Sequence, residues 1–158
     1  MKYFESRPFY DFDQGWAILT AGTGDDYNCM TISWGELGTL WNKQVATVYV
    51  RPNRYTHELM EKQDIFTIGF FADHYHKDLE ILGTLSGKDG DKLAKTSLTP
   101  TVLEQGVIFK EAKVNLVCKK IYRQELDLSA MPKEVQETIY ATDPVHTMYI
   151  GEVMEVIR

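Results

Sequence analysis

Short hydrophobic segments, separated by glycine, proline and acidic residues, run along most of the chain. They are rich in aromatic and β-branched residues, and several alternate between apolar and polar positions, which is typical of β-strands. The segments that predict strands are 16–21, 27–34, 45–50, 64–71, 111–123 and 146–157. The first two flank the turn cluster 22–26 and predict a β-hairpin. Gly151 lies inside the last strand and indicates a bulge or a close approach of two backbones.

Helical patterns are shorter and weaker than the strand patterns. The segment 54–62 predicts a helix with Asn53 as its N-cap. Tyr75, Leu79 and Leu82 have the spacing of an amphipathic helix. The segments 91–96 and 132–140 predict one helical turn or two and a weaker helix, respectively.

The order of these elements, about six or seven strands and three short helices, predicts the fold class. Strands and helices do not alternate as in βαβ units, and no GxGxxG motif follows a strand. This disfavours a doubly wound dinucleotide-binding fold. We therefore predict a mainly β protein, an antiparallel barrel with short peripheral helices. The length of 158 residues favours a single domain over 1–158.

Net charge and composition exclude several classes of function. The formal net charge is -6, which argues against a protein that binds nucleic acid or anionic membranes. No apolar run is long enough to predict a membrane-spanning helix, and the first residues lack the apolar core of a signal peptide. The two cysteines, Cys29 and Cys118, show no spacing typical of zinc sites. We expect a soluble, cytoplasmic protein without a metal.

The first candidate for chemistry is the strand segment Asn-Cys-Met-Thr-Ile-Ser-Trp at 28–34. Asn28 and Thr31 could bind polar edges of a ligand, and Trp34 could cover a flat ring. Alternatively, this is an ordinary half-buried strand whose Thr and Ser side chains face water. Alternation places the side chain of Cys29 opposite that of Asn28, so we expect Cys29 to pack in the core.

The second candidate is Arg-Pro-Asn-Arg-Tyr-Thr at 51–56, at a predicted helix start. Free backbone N–H groups and the helix dipole attract anions there, and arginine binds phosphate through two parallel hydrogen bonds. The hydroxyl of Thr56 adds a donor. The alternative is a solvated basic turn with an ordinary helix cap. The residues leave these two interpretations equally open.

The third candidate is the segment 86–96, in which Gly87 and Gly90 permit a tight turn and three lysines follow one another closely. The order of glycine and lysine does not match a P-loop. Taken alone, this segment is more typical of a solvated loop followed by a helical turn.

The fourth candidate is His146, immediately before the last strand. A single histidine at a strand start is more often a hydrogen-bonded structural residue than a catalytic one. The chain contains neither GxSxG nor HExxH, so nothing supports a hydrolase.

Together, the four segments resemble the flavin reductase-like, FMN-binding split-barrel family, which includes flavoredoxins. The segment 28–34 looks like the family's Asn-x-Met-Thr strand, and 51–56 is similar to its Arg-Pro-x-Arg-Tyr-Thr turn. The segment 86–96 is similar to its Ser-Gly-Arg-Asp and Asp-Lys-Phe elements, and His146 with Gly-Glu-Val at 151–153 resembles its closing strand. The four motifs occur in the family's order, from about Trp16 to Val153. Ser97 departs from the family, which more often has glycine there.

This resemblance implies a dimeric antiparallel split β-barrel that holds FMN near the subunit interface. It also implies roles for individual residues. His146 would lie beside the nicotinamide of NAD(P)H. Residues expected along the flavin are Asn28, Met30, Thr31, Ile32, Ser33 and Trp34. Those expected at the ribityl phosphate are Arg51, Arg54, Tyr55 and Thr56, with Lys92 reaching the phosphate or the ring.

The function implied is that of an FMN-dependent oxidoreductase, which takes hydride from NAD(P)H and passes electrons to a small-molecule or protein acceptor. Two alternatives stay open: an FMN-bound electron-transfer protein and a flavin-binding module without turnover. Exposed edges of the two long strands favour a homodimer, and Phe109, Tyr122 and Tyr140 are candidate interface anchors.

Overall fold

Nine strands and four short α-helices make up the described part of the chain, residues 3–87 and 90–158 of a computed structural model. The helices are α1 (Pro8–Asp13), α2 (Tyr55–Lys62), α3 (His76–Thr84) and α4 (Lys133–Thr138). The strands are β1 (Ala17–Thr23), β2 (Asp26–Ile32), β3 (Gly35–Leu40), β4 (Lys43–Val50), β5 (Ile65–Phe70), β6 (Pro100–Val102), β7 (Val107–Phe109), β8 (Val114–Glu125) and β9 (Thr147–Ile157).

Seven strands form one antiparallel sheet in the order β2-β1-β5-β8-β9-β4-β3, and β6 and β7 form a separate pair. The predicted hairpin is present, with Ala17 opposite Ile32 and Thr23 opposite Asp26. The mainly β, antiparallel architecture with short peripheral helices is thus confirmed. None of the described helices is long and apolar enough to cross a membrane.

The main core shows that the sheet curls on itself. Met30 on β2, at one edge of the sheet, belongs to the same buried cluster as Ala46 and Val48 on β4, near the other edge. A flat sheet would keep these strands far apart, because neighbouring strands are about 4.8 Å from one another. The curled sheet therefore encloses its own hydrophobic core, as in a split barrel.

A second buried cluster lies on the opposite face of β1 and β2. Ile18 and Cys29 alternate with core residues and pack here with Leu79 and Leu82 of α3. Phe109 belongs to the same cluster and is 2% exposed. The prediction that Phe109 anchors a subunit interface is therefore wrong, whereas the predicted packing role of Cys29 is confirmed.

Gly151 is a point of close approach, as its position in the last strand predicts. A Cβ atom there would lie 2.4 Å from the ring of Phe66. The pairing of β8 with β9 also shifts register between Lys120 and Tyr122, beside Gly151. A residue larger than glycine at this position would collide with Phe66 of β5 and Cys118 of β8.

Several sequence-based boundaries need correction. Helix α2 is capped by Arg54 rather than Asn53, and the structure shows no side-chain hydrogen bond at that cap. Strand β3, helix α1 and the β6–β7 pair were not predicted. Strand β3 has a mostly exposed pattern, and it turns into β4 through Trp41 and Asn42, which both have positive φ.

The segment 86–96 is only partly described, because Lys88 and Asp89 of this candidate lie outside the described residues. Its predicted helical turn is a 3-10 helix at Leu93–Lys95. The side chain of Ser97 donates to Asp78 of α3 at 2.6 Å. The residue that departs from the family pattern thus ties this segment to α3.

Candidate functional site

The end of β2, the link from β4 to α2 and the start of β9 surround a cleft of about 290 Å³, which we call the aromatic cleft. Its lining residues are Met30, Thr31, Ile32, Ser33, Trp34, Tyr49, Arg51, Arg54 and His146. All but Tyr49 come from the sequence-based candidates. The structure therefore brings together the first, second and fourth candidate segments, which are far apart in the sequence.

Tyr49 was missed, although the sequence holds a signal for it. It lies two residues before Arg51 in an extended segment, so both side chains point to the same side of the chain. Its hydroxyl donates to the carboxylate of Glu36 at 2.9 Å. Burial and the neighbouring Glu36 raise the pKa of Tyr49 to about 12, so it is a neutral phenol near neutral pH.

His146 is buried in the wall of the aromatic cleft, with 8% of its surface exposed. Its ring centre lies 5.0 Å from that of Trp34, and its Nδ1 lies 2.7 Å from the hydroxyl of Tyr140. Burial, with a further contribution from Arg51, lowers the pKa of His146 to about 4. The imidazole is therefore neutral near neutral pH.

Arg51 joins the aromatic cleft to the segment before β9. Its Nη1 donates to the carbonyl of Pro144 at 3.1 Å and lies 3.7 Å from the carboxylate of Asp143. Its guanidinium also lies over the ring of Tyr140, 5.4 Å from the centroid. Arg51 thus has a carboxylate partner and holds the chain that carries His146.

A second pocket, of about 110 Å³, adjoins the aromatic cleft, and we call it the cationic pocket. Its lining residues are Asn28, Asn53, Arg54, Tyr55, Thr84, Leu85, Ser86, Gly87 and Lys92. Arg54 lines both spaces, so they lie next to each other. The third candidate segment enters the site here, through Lys92.

The two cations of this pocket are held by the end of helix α3. Lys92 is 5% exposed, and its Nζ donates to the carbonyls of Leu82 and Leu85, each at 3.2 Å. Arg54 donates to the carbonyl of Gly83 at 3.4 Å. The last carbonyls of a helix lack donors within the helix and carry partial negative charge, so cations stabilise them.

Neither cation has a carboxylate partner among the described residues. Burial lowers the pKa of both Arg54 and Lys92, and the charge of Arg54 contributes to the shift of Lys92. Carbonyl groups satisfy hydrogen bonds but do not neutralise charge. Within the described ranges, the pocket therefore holds two cations that form no ion pair, in a protein whose net charge is -6.

Asn28 and Thr56 join β2 to the first turn of α2. The side-chain amide of Asn28 donates to the hydroxyl of Thr56 at 2.9 Å, and Thr56 is 1% exposed. Thr56 lines neither space. Its side chain accepts from Asn28 and is buried, and the expectation that its hydroxyl donates to a phosphate stays a prediction.

Gly87 packs directly on Asn28. A Cβ atom at Gly87 would lie 2.1 Å from Oδ1 of Asn28, which is closer than atoms can approach. Any larger residue at this position would therefore displace the Asn28 side chain or the loop after α3. The Ser-Gly pair of the third candidate segment is the sequence signal for this contact.

The comparisons with known proteins agree with this architecture. The model of the flavin reductase like domain matches residues 9–158. The chain belongs to this family, as the four motifs predict.

Two curated relatives are uncharacterized proteins. One, from Archaeoglobus fulgidus, is 28% identical over 131 residues, which cover 82% of this chain and 64% of the relative. Another, from Pyrococcus abyssi, is 26% identical over 137 residues, which cover 87% of this chain and 69% of the relative. The chain thus spans less than two thirds of the Archaeoglobus relative.

Solved structures share the fold at low sequence identity. Flavoredoxin from Methanosarcina acetivorans has a TM-score of 0.71 at 19% identity, over 99% of this chain and 75% of that one. An FMN-binding protein from Thermus thermophilus has a TM-score of 0.71 at 19% identity, over 100% of this chain and 80% of that one. The NADH:FAD oxidoreductase of Streptomyces globisporus has a TM-score of 0.70 at 18% identity, over 96% of this chain and 80% of that one. At these identities the likeness concerns the fold.

Proposed function

We propose that this protein binds FMN, takes hydride from NAD(P)H onto it and passes electrons to an acceptor. The flavin ring would lie in the aromatic cleft and the phosphate in the cationic pocket. The observation that carries this proposal is the pair Arg54 and Lys92, two cations without a carboxylate partner among the described residues, next to a cleft lined by aromatic rings. Membership of the flavin reductase like family supports it.

The cationic pocket has the donors that a phosphate monoester needs. Two of the three N–H groups of Lys92 are used by helix carbonyls, and no other described residue takes the third, which suits a ligand. Arg54 uses one of its five donors on Gly83. The pocket also includes Tyr55, the first residue of α2, where the helix dipole favours an anion. These groups fit a phosphate and give no reason to bind a neutral ligand.

The aromatic cleft has the properties that a flat, partly polar ring requires. Trp34 and Met30 offer apolar surface, and the strand end 31–33 offers backbone groups. The hydroxyl of Thr31 donates to the carbonyl of Leu79, so it is committed to α3 and can only accept from a ligand. Small-molecule sites usually enclose roughly 300–1,000 Å³. Taken together, the two adjoining spaces, of about 290 and 110 Å³, lie near the lower end of that range.

Bound FMN would accept a hydride and release electrons one or two at a time, so the chain needs no acid–base pair of its own. Its residues hold the ring and leave room for a second substrate. His146 is neutral, beside Trp34, and its position fits the contact with nicotinamide that the family resemblance implies. Neutrality matters, because a cationic imidazole would repel an oxidised nicotinamide.

We also propose that the protein is a cytoplasmic homodimer. Trp34 lines the aromatic cleft yet is 45% exposed, and Trp41 and Tyr122, which contact each other, are 59% and 38% exposed. Large exposed aromatic side chains are typical of interface anchors. The cysteines are free and buried, in keeping with a reducing compartment. Light scattering with bound FMN would test the dimer, and a monomer at micromolar concentration would contradict it.

The test of function is the visible spectrum of the purified protein after addition of FMN, followed by anaerobic titration with NADH and with NADPH. We expect a flavin spectrum that bleaches with at least one donor. A bound flavin that neither donor bleaches would replace the proposal with electron transfer or simple binding. Failure to bind FMN would overturn it. His146→Ala serves as the matched variant, with near-normal FMN affinity and slower bleaching.

A further inference from the structure

We infer that Tyr140 is a positioning residue: its hydroxyl donates to Nδ1 of His146 and so keeps the imidazole proton on Nε2, where it faces the aromatic cleft. The cleft then presents an N–H donor, and the second substrate must offer an acceptor, such as the carbonyl oxygen of a carboxamide. The assignment of the substrate group rests on the proposed function, whereas the placement of the proton does not.

A neutral imidazole has one donor nitrogen and one acceptor nitrogen. His146 is 8% exposed, and burial and Arg51 both disfavour its protonated form. The hydroxyl of Tyr140 lies 2.7 Å from Nδ1, a normal hydrogen-bond distance. Whichever partner donates in this bond decides what Nε2 offers to the cleft.

The hydroxyl of Tyr140 is a better hydrogen-bond donor than the imidazole of His146. The hydroxyl of Tyr140 has one partner among the described residues, Nδ1 of His146, so this bond is where its hydrogen has an acceptor. A phenol O–H is a stronger hydrogen-bond donor than a neutral imidazole N–H, and an unprotonated imidazole nitrogen is a stronger acceptor than a phenol oxygen, so the hydrogen of this bond lies on the phenol.

Arg51 holds the segment that carries Tyr140 and His146 in place. Arg51 contacts Tyr140 through the ring face, and Pro144 and Asp143 through hydrogen-bond and ionic contacts. Arg51 therefore holds the segment 140–146 at three residues, and the Tyr140–His146 bond joins the two ends of the segment to each other. Such support from surrounding residues fixes a functional side chain in one orientation.

Nε2 of His146 remains for a ligand. Within the described ranges no residue forms a hydrogen bond with it, and the imidazole lines the cleft beside Trp34. A donor there favours a ligand carbonyl and disfavours a ligand N–H group. This distinguishes a substrate that carries a carboxamide or carbonyl from one that presents a donor at the same place.

The test is long-range ¹H–¹⁵N NMR of protein with ¹⁵N-labelled histidine, without flavin and near neutral pH. We expect Nδ1 of His146 to be unprotonated and Nε2 protonated in the wild type, and a mixture of tautomers in Tyr140→Phe. Tyr10→Phe removes another hydrogen-bonded hydroxyl, which contacts Asp73 outside the site, and should leave His146 unchanged. A proton on Nδ1 in the wild type would overturn the inference, as would an unchanged tautomer in Tyr140→Phe.

The kinetic arm uses the flavin-loaded protein and NADH or NADPH. In Tyr140→Phe we expect hydride transfer to slow about three- to tenfold, the value of one neutral hydrogen bond, with FMN affinity unchanged. His146→Gln retains an N–H donor that needs no tautomer, so adding Tyr140→Phe to it should have no further effect. An additive loss would overturn the positioning role. Absence of any reduction in the wild type would instead overturn the proposed function and the substrate assignment, and would leave the tautomer result standing.

Discussion

The aromatic cleft and the cationic pocket share Arg54 but hold their positive charge in different ways. In the cleft, Arg51 faces the carboxylate of Asp143, so its charge is partly neutralised within the protein. In the pocket, Arg54 and Lys92 contact only carbonyl oxygens of α3 among the acceptors that the structure describes. The pocket is therefore suited to select a ligand by its charge, and the cleft by its shape and hydrogen bonds.

The same pair of arginines shows why sequence spacing alone is a poor guide. Arg51 and Arg54 belong to one short motif and both appeared suited to a phosphate. The structure places only Arg54 in the cationic pocket, and Arg51 instead holds the segment before β9. Arg51 lines the aromatic cleft instead, and the expectation that it contacts the ribityl phosphate stays a prediction.

The largest effect is expected for Arg54→Ala. A charge-assisted hydrogen bond contributes about 1.5–3 kcal/mol, which corresponds to roughly a ten- to hundredfold loss of FMN affinity. Riboflavin, which lacks the phosphate, should bind almost as before. Fluorescence titration with both ligands measures this. Arg7→Ala is the control, since that guanidinium lies over Tyr10 outside both spaces. Equal losses for the two ligands would refute the charge selectivity of the pocket.

A somewhat smaller effect is expected for Gly87→Ala. The added Cβ would meet Oδ1 of Asn28, so the loop or the Asn28 side chain must move and the bond to Thr56 is disturbed. We expect FMN to bind about tenfold more weakly, as for the loss of one hydrogen bond at the upper end of its usual value.

The matched control for this change is Gly38→Ala, because a Cβ there has no neighbour within 4 Å and the backbone is not in the left-handed region. Its FMN affinity should equal that of the wild type. Comparable losses in both variants would show that the effect comes from the fold and not from the pocket.

Arg51→Ala should weaken FMN and riboflavin to the same extent, by about three- to tenfold. The reason is that Arg51 positions the wall of the aromatic cleft, where both ligands have the same ring. Titration with the two flavins again gives the answer. A loss confined to FMN would mean that Arg51 contacts the phosphate after all and would remove the distinction between the two spaces.

The smallest effect concerns pH. The pKa of His146 is about 4 in the folded protein, below its ordinary value of 6.5. The unfolded chain therefore takes up the proton first, and this residue's contribution to stability is complete above pH 6.5 and is lost as pH falls towards 4. Urea unfolding at a series of pH values from 6.5 to 4 should show a smaller decrease in the free energy of unfolding for His146→Gln than for the wild type. Parallel curves would indicate that His146 titrates normally in the folded protein.

Much of the fold was predictable from local patterns. The β1–β2 hairpin follows from two apolar runs around a turn cluster, and the buried strand β5 follows from a continuous apolar run. The buried face of α3 follows from apolar residues at helical spacing. Strand β3 was not predictable, since most of its side chains are exposed and only its pairing with β4 makes it a strand. The single-domain assignment over 1–158 and the residue roles stay predictions.

Most residues that line the site can be identified from short segments of the sequence. The four motifs contain nearly all the side chains that line the two spaces, because residue type and local backbone preference are written in short segments. Tyr49, Thr84 and Leu85 line the two spaces from outside these motifs, and Tyr140 contacts His146. Tyr49 and Tyr140 both act through a hydroxyl hydrogen bond to a residue elsewhere in the chain.

The surroundings of these side chains could not be predicted from local patterns, because they depend on how the chain folds. Lys92 is a buried cation at the end of α3, Thr56 supports Asn28, and His146 is neutral beside Arg51. Each of these properties depends on which groups lie within a few ångströms and on how little water reaches them. Hydrogen-bond partners and burial are set by contacts between segments far apart in the chain, and no local pattern encodes them.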